Sequence, residues 1–353
     1  MNSQNTHRGD VAAGRVETGV GEVPRVSSRW GFRDWLGALR VRLGIARRSY
    51  RLQPGLYAVG EPTPQSPVMV SANYKLSFDH LRRALAGRDA WILVLDTRGI
   101  NVWCAAGKGT FGSDELVERI ESAGLKEIVS HRVLIVPQLG APGISAPLVE
   151  EESGFRVVYG PVRAGDLPAY LDSDMEATPR MRSVDFPLLD RLLLTPVELR
   201  QGFKYAAALF VLLALLGGFH GAGYTVSRVL SQLPAAGLLA GAGLAGGAFL
   251  TPALLPWLPG RSFTVKGGVV GLALGGLCWL AGVPEPYSGS IPLGLFSSTL
   301  VVGSLSAFLA MKFTGSTPYT SLSGVEKEVR YALPAQSGGC AAGVVFWCLA
   351  GLL

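Results

Sequence analysis

The sequence predicts two structural classes in one chain: an α/β domain, then an all-α membrane domain of five transmembrane helices. Three observations predict this. Only 16% of the 353 residues are charged, against roughly 25% in soluble domains, and most of those charges precede residue 204. Between Pro54 and residue 175, short β-rich runs alternate with helical ones. Beyond the linker come five apolar stretches, each near the ~20 residues that a bilayer crossing needs.

Residues 1–25 are polar and rich in Gly, Val and Arg, which predicts disorder. From Arg29 to Arg51, Phe32, Leu36, Leu39 and Leu43 fall at helical spacing beside Trp30, Trp35, Arg33, Arg40 and Arg47. That pattern predicts a basic amphipathic helix, either lying on a membrane surface or docked on the following domain. Residues 1–50 thus read as a basic tail with an amphipathic helix, and 51–175 as the α/β domain. Within it, 68–74 reads as a strand and 77–85 as a helix capped by Ser77. Residues 91–96 form a buried strand, and 101–104 read as a short apolar strand ending at Cys104. A helix over 113–125 has Ser113 as its cap and Gly124 as its terminator. Residues 132–143 read as a strand running into a turn, and 155–162 as a further strand.

Residues 176–202 read as a basic amphipathic linker, and 203–353 as the membrane domain. Its spans are predicted at 203–223, 232–256, 266–283, 291–313 and 336–353. The second and third are rich in Gly and Ala, as closely packed membrane helices are. Arg200, Lys204, Arg261, Lys266, Lys312, Lys327 and Arg330 all fall on one side, whereas the opposite loops hold only Arg228. The positive-inside rule puts the α/β domain and the N-terminus in the cytoplasm and the C-terminus outside. The span centres hold no Asp, Glu, Lys or Arg, so the membrane half reads as an anchor rather than a pump.

Several classes are disfavoured. The net charge of +6 is modest, and no Lys/Arg stripe interleaves with aromatics as nucleic-acid binding needs. The four cysteines, at 104, 278, 340 and 348, form no C-x-x-C pair, so neither a disulfide framework nor a self-contained iron–sulfur site is visible. No apolar core follows the N-terminal charges, so a cleaved signal is not expected.

Residues 101–112, NVWCAAGKGTFG, carry competing signals. Gly107, Gly109 and Gly112 spell G-x-G-x-x-G, a dinucleotide fingerprint. However, the preceding strand ends three residues early, Ala105 and Ala106 favour helix before the first glycine, and no acid ends a strand about 20 residues on. The P-loop pattern is also absent. The second signal is Cys104, where a strand gives way to a helical turn. Helix N-terminal N–H groups and Lys108 would favour its thiolate, a soft metal donor. A buried structural cysteine is the alternative.

These residues carry a resemblance. NVWCAAGKGTFG resembles the cap-helix motif of the HgcA family, the membrane-bound corrinoid proteins of microbial mercury methylation. Residues 54–87 and 90–112 are similar to that family, as is the layout of a corrinoid domain before five spans; residues 313–328 resemble it less. The resemblance covers roughly residues 50–353.

It implies a Rossmann-like corrinoid-binding α/β domain holding a cobalamin or related corrinoid, with its benzimidazole base off. It implies that Cys104 faces the cobalt. The chain lacks the Asp-x-His-x-x-Gly signature of histidine-ligated corrinoid domains, and His7, His80, His131 and His220 do not have its spacing. An axial thiolate pushes electron density onto the metal. The methyl group then gains the carbanion character that Hg(II) requires, and the implied activity is a corrinoid-dependent methyltransferase that makes methylmercury. Asn101, Val102, Trp103, Ala105, Ala106, Gly107, Lys108, Gly109 and Thr110 would form the cofactor turn, with Asn73, Gln138 and Gly140 at the same end of the sheet. Carbanion transfer leaves Co(III), which needs two electrons from outside this chain. The implied partners are a ferredoxin-like protein with two 4Fe–4S clusters and a methyl donor of the methyltetrahydrofolate pathway, in an anaerobic cell. A methyl carrier of one-carbon metabolism and a membrane-anchored nucleotide-binding protein are the rival readings.

Overall fold

The computed structural model describes residues 12–47, 49–283, 291–313 and 322–352. Residues 1–11, part of the predicted tail, and residues 314–321 of the 313–328 stretch lie outside the described residues. The chain divides into two units, one ending at Asp185 and the other beginning at Phe186.

In the first unit the elements are β1 (Ala12–Thr18), β2 (Gly21–Val26), α1 (Phe32–Arg42), β3 (Gly55–Val59), β4 (Val68–Ala72), α2 (Lys75–Ala84), β5 (Ala90–Leu95) and α3 (Val102–Gly107). They continue with α4 (Ser113–Ser122), α5 (Leu125–Ile128), β6 (Val133–Val136), α6 (Ala146–Ser153), β7 (Arg156–Tyr159) and α7 (Leu167–Asp172). One seven-stranded sheet runs in the order β1-β2-β3-β5-β4-β6-β7. β5, β4, β6 and β7 are mutually parallel, and β3 is antiparallel to β5.

The strands read as continuous apolar runs because both faces are covered. On one face, Val68, Val70, Trp91, Leu93 and Leu95 pack with Ala105, Leu116, Ile120 and Val149 from the helices and with Phe111 from the turn between α3 and α4. On the other, Met69, Ile92, Val94 and Ile135 pack with Phe78, Leu81, Leu85 and Tyr170. The alternation along β5 puts odd residues on the first face and even ones on the second, as period-2 geometry requires.

Several sequence expectations need correction. The tail is not disordered throughout: β1 and β2 form an antiparallel hairpin at the sheet edge, and β2 runs parallel to β3. Val23 and Val26 are buried there, and Thr18 Oγ1 donates to Gly21 O across the turn. Ser77 and Ser113 are not helix caps. α2 begins earlier, after Tyr74, and α4 follows Gly112. The Ser113 hydroxyl instead accepts the Ser145 N–H. Residues 101–104 are not a strand: Asn101 caps α3, which starts at Val102.

The second unit has five helices long and apolar enough to cross a membrane: Leu188–Leu216, Val226–Leu254, Phe263–Leu280, Leu293–Phe313 and Gly324–Leu352. The first ends at Leu216 rather than 223, because the glycine-rich 217–223 turns into a short hairpin, Phe219–His220 against Gly223–Tyr224. The last helix starts some twelve residues before the predicted 336, taking Lys327 and Arg330 into its first turns. Within the second, Gly246–Leu250 is a wide π turn followed by Pro252. The third and fourth helices meet along Gly267, Gly271 and Gly275. A Cβ at Gly271 would lie 2.7 Å from Gly303 Cα, and one at Gly275 2.6 Å from Ser298 O. Only glycine allows this approach, the small-residue packing typical of helices in lipid.

Candidate functional site

The site is built where the sheet changes direction. From β4 the chain passes through α2 to β5 on one side; from β6 it passes through α6 to β7 on the other. Connections that diverge in this way leave a crevice at the C-terminal ends of β4 and β6, where ligands of open α/β sheets bind. A cavity of about 260 Å³ occupies it, lined by Ser71 from β4, Asn101 at the cap of α3, Val102 and Trp103 from α3, and Pro137 and Leu139 after β6.

The loop from β5 to α3 is held by Asn73. This buried side chain donates to Asp96 Oδ1 at 2.9 Å, and its oxygen accepts the Thr97 and Gly99 N–H groups and the Thr97 hydroxyl. Gly99 takes φ +74° and Arg98 φ +58°, the sharp reversal that delivers the chain to α3. Asn101 Oδ1 then accepts the Cys104 N–H at 3.0 Å, capping the helix.

Cys104 is half-buried at the third position of α3. It does not line the cavity, although its three predecessors do. Its neighbour is Tyr74, whose phenol has a raised pKa. Burial is the main cause, Arg47, which hydrogen-bonds it, and Arg42 pull the other way, and the charge of Cys104 adds to the rise. Ala105 and Ala106 are buried in the core, while Gly107, Lys108 and Gly109 are exposed. A Cβ on Gly107 or Gly109 would meet nothing within 4 Å, and Gly109 has φ +76°. The end of α3 is therefore an open shelf. Gly107 closes a helix rather than a strand, so the three glycines lack the strand–turn–helix placement of a dinucleotide fingerprint.

The other predicted residues are distributed differently. Thr110 bonds back to Ala105 O. Gln138 Oε1 accepts from Arg182 at 3.1 Å. Gly140 is buried, where a Cβ would lie 2.5 Å from the Phe111 ring, and Gly143 fits under the Phe111 carbonyl and Ala106. Sequence reasoning missed Tyr74, Arg47, Ser71, His80 and Pro137 around this crevice. In the sequence Arg47 is only part of the basic helix pattern, and His80 only a histidine without the corrinoid signature spacing. It is exposed, and it also borders the cavity, with its ring 5.2 Å from Trp30.

Fold and site define a class: an α/β domain with a short cysteine-bearing helix beside a switch-point crevice, on a chain with five helices of membrane-spanning length. Within that class, residues 43–171 match the family described as the CO dehydrogenase/acetyl-CoA synthase delta subunit. The matched segment holds β3–β7, Cys104 and the whole cavity lining. The chain is also similar to acetyl-CoA decarbonylase/synthase complex subunit gamma of Archaeoglobus fulgidus, 32% identical over 130 residues, 36% of this chain and 27% of that one. The subunit gamma of Methanopyrus kandleri is 33% identical over 130 residues, 36% and 28% of the two chains. Subunit gamma 2 of Methanosarcina thermophila is 34% identical over 126 residues, 34% and 26%. This chain spans about a quarter of the length of these relatives.

Proposed function

We propose that the chain is a membrane-anchored corrinoid-dependent methyltransferase that transfers a methyl group to inorganic Hg(II), with Cys104 as the residue that would hold the cobalt. The observation that carries this reading is Cys104 itself, half-exposed on a capped turn beside an open glycine shelf. The donor set fits a corrinoid. Among the described residues no three His, Cys, Asp or Glu gather to hold a metal, so a metal at Cys104 must bring most of its own ligands. A macrocycle would do so and ask the protein for a single donor. The 260 Å³ cavity suits a projecting side group rather than a whole ring.

When bound, the corrinoid supplies a cobalt-borne methyl group that leaves with its bonding pair, the polarity an electrophile such as Hg(II) requires. The chain's own residues prepare this. The Cys104 sulfur would press electron density toward the metal, as thiolates do in haem enzymes. Asn101 fixes the turn and hence the sulfur. Asn73 fixes the loop before it. Gly107 and Gly109 admit the ligand, Val102 and Trp103 wall the crevice, and Lys108 and Thr110 edge the shelf. Gln138, held by Arg182, and Gly140, packed on Phe111, shape the opposite rim.

Electrons come from a separate ferredoxin-like protein with two 4Fe–4S clusters, and the methyl group from a donor of the methyltetrahydrofolate pathway. With Cys104 as the donor to cobalt, the corrinoid would be held with its benzimidazole base off. The clustering of Arg200, Lys204, Arg261, Lys266 and Lys312 on one side of the spans supports a cytoplasmic α/β unit and an external C-terminus in the cytoplasmic membrane. The test is Cys104→Ala in an anaerobic mercury-methylating host, with cobalt content and visible spectrum of the purified protein. Loss of methylmercury formation with folded protein is expected; full activity would sink the thiolate role.

A second reading is a methyl carrier of one-carbon metabolism. The match of residues 43–171 to the CO dehydrogenase/acetyl-CoA synthase delta subunit family, and the similarity to acetyl-CoA decarbonylase/synthase gamma subunits, favour it. Growth and methyl flux in a deletion strain separate the two: impaired one-carbon growth without mercury supports the carrier.

A further inference from the structure

α1 is docked inside out. An amphipathic helix on a soluble domain turns its apolar stripe inward. Here the inward groups are Asp34, Ala38 and Val41, and Asp34 pairs with Lys75 at 2.7 Å and Arg82 at 2.9 Å. Those two cations also hold the fully buried Asp79, and Tyr50 closes under Gly37. The outward side chains are Phe32, Trp35, Leu36 and Leu39, with exposures of 81%, 52%, 44% and 55%. Such a contiguous apolar face marks an interaction surface.

Its rim is basic. Between Ser27 and Arg51 the sequence has seven arginines and one acid, and that acid is the pair-locked Asp34. Arg40 and Arg47 are exposed, and Arg83 stacks over Trp30 and Trp35 at 5.4 and 5.7 Å. We propose that the outer face of α1 is a lipid-contact surface, seating Phe32, Trp35, Leu36 and Leu39 among the acyl chains of an anionic bilayer while the arginines meet its phosphates.

Charge and tether choose this occupant. A second copy docked by the same face would set arginine against arginine. An anionic leaflet offers both the apolar depth and the opposite charge, and polybasic amphipathic helices bind it for both reasons. The first apolar helix begins at Leu188, so residues 173–187 keep the domain within about 50 Å of it along the chain. The inference rests on those helices crossing a membrane and is independent of the corrinoid reading.

The test uses the full chain in nanodiscs of phosphatidylcholine alone or mixed with phosphatidylglycerol, each containing a photoactivatable analogue of its lipid. Expected are adducts on the 32–45 peptide and slowed amide exchange in α1, both stronger with phosphatidylglycerol. The variant Phe32→Gln/Leu36→Gln/Leu39→Gln removes only exposed groups. It should lose about tenfold or more of the α1 adducts, while adducts on the five apolar helices persist as the control. Arg40→Glu should weaken the phosphatidylglycerol preference. Adducts confined to the apolar helices, or α1 cross-linked instead to a second copy or another protein, would overturn the proposal.

Discussion

Asn73 and Thr97 join the end of β4 to the loop that carries Cys104. The Asn73 oxygen accepts the Thr97 N–H at 3.2 Å and its hydroxyl at 2.9 Å. The residue that sequence reasoning placed at the cofactor rim has its side chain engaged in shaping that loop. Replacing it by Ala strands the buried Gly99 donor, at roughly 1–3 kcal/mol, while the Thr97 N–H and hydroxyl keep the Leu95 and Ile100 carbonyls. Asn73→Ala should lower the melting temperature and speed amide exchange across residues 96–104; unchanged exchange there would contradict the assignment.

The Asn101 cap makes a separable prediction. Asn101→Ala should cost about 1 kcal/mol and fray α3, whereas Asn101→Asp keeps an acceptor for the Cys104 N–H. Alkylation kinetics of Cys104 read the difference: faster and less uniform in the Ala variant, near wild type in the Asp variant.

Glycines near α3 divide by what surrounds them. Gly143→Ala drives a methyl group into the Phe111 carbonyl and should destabilise by about 1–3 kcal/mol or more. Gly107→Leu fills open space and should leave the melting temperature nearly unchanged while abolishing corrinoid retention. Retained corrinoid in a folded Gly107→Leu protein would argue against the shelf as the cofactor seat.

The seating of α1 has a pH signature. Burial alone would raise the pKa of Asp34, but Lys75, the Gly31 N–H and Arg82 more than offset it, so the pKa is lowered. A depressed folded value means that the pairing is fully stabilising above the unfolded value of about 3.9 and is lost as pH falls through the folded one. Protection of the α1 amides should therefore hold steady from pH 7 to 5 and decline only below about pH 4. Asp34→Asn should cost roughly 1–3 kcal/mol at neutral pH, because Lys75 and Arg82 retain Asp79.

The layered α/β unit and the five apolar helices were legible because hydrophobic period and length dominate their sequences. Helix starts were less so. Ser77 and Ser113 look like caps, yet the tertiary contacts that begin α2 at Lys75 and tie Ser113 to Ser145 override local preference. The NVWC run is apolar enough to suggest a strand, and its real signal was Asn three residues before Cys, an N-cap spacing. The β1–β2 hairpin escaped notice because its alternation is short and diluted by glycine. Tyr74 became a neighbour of Cys104, and Arg47 a neighbour of Tyr74, only through folding, which no spacing in the sequence encodes.

The π turn at Gly246–Leu250 has a consequence for how the second apolar helix is read. A five-residue turn acts as an insertion of one residue into a helix that otherwise advances about 100° per residue. The half from Val226 and the half ending at Leu254 are therefore out of phase. A periodicity scan that fits one half will misassign the lipid-facing side of the other unless its register is reset at Gly246.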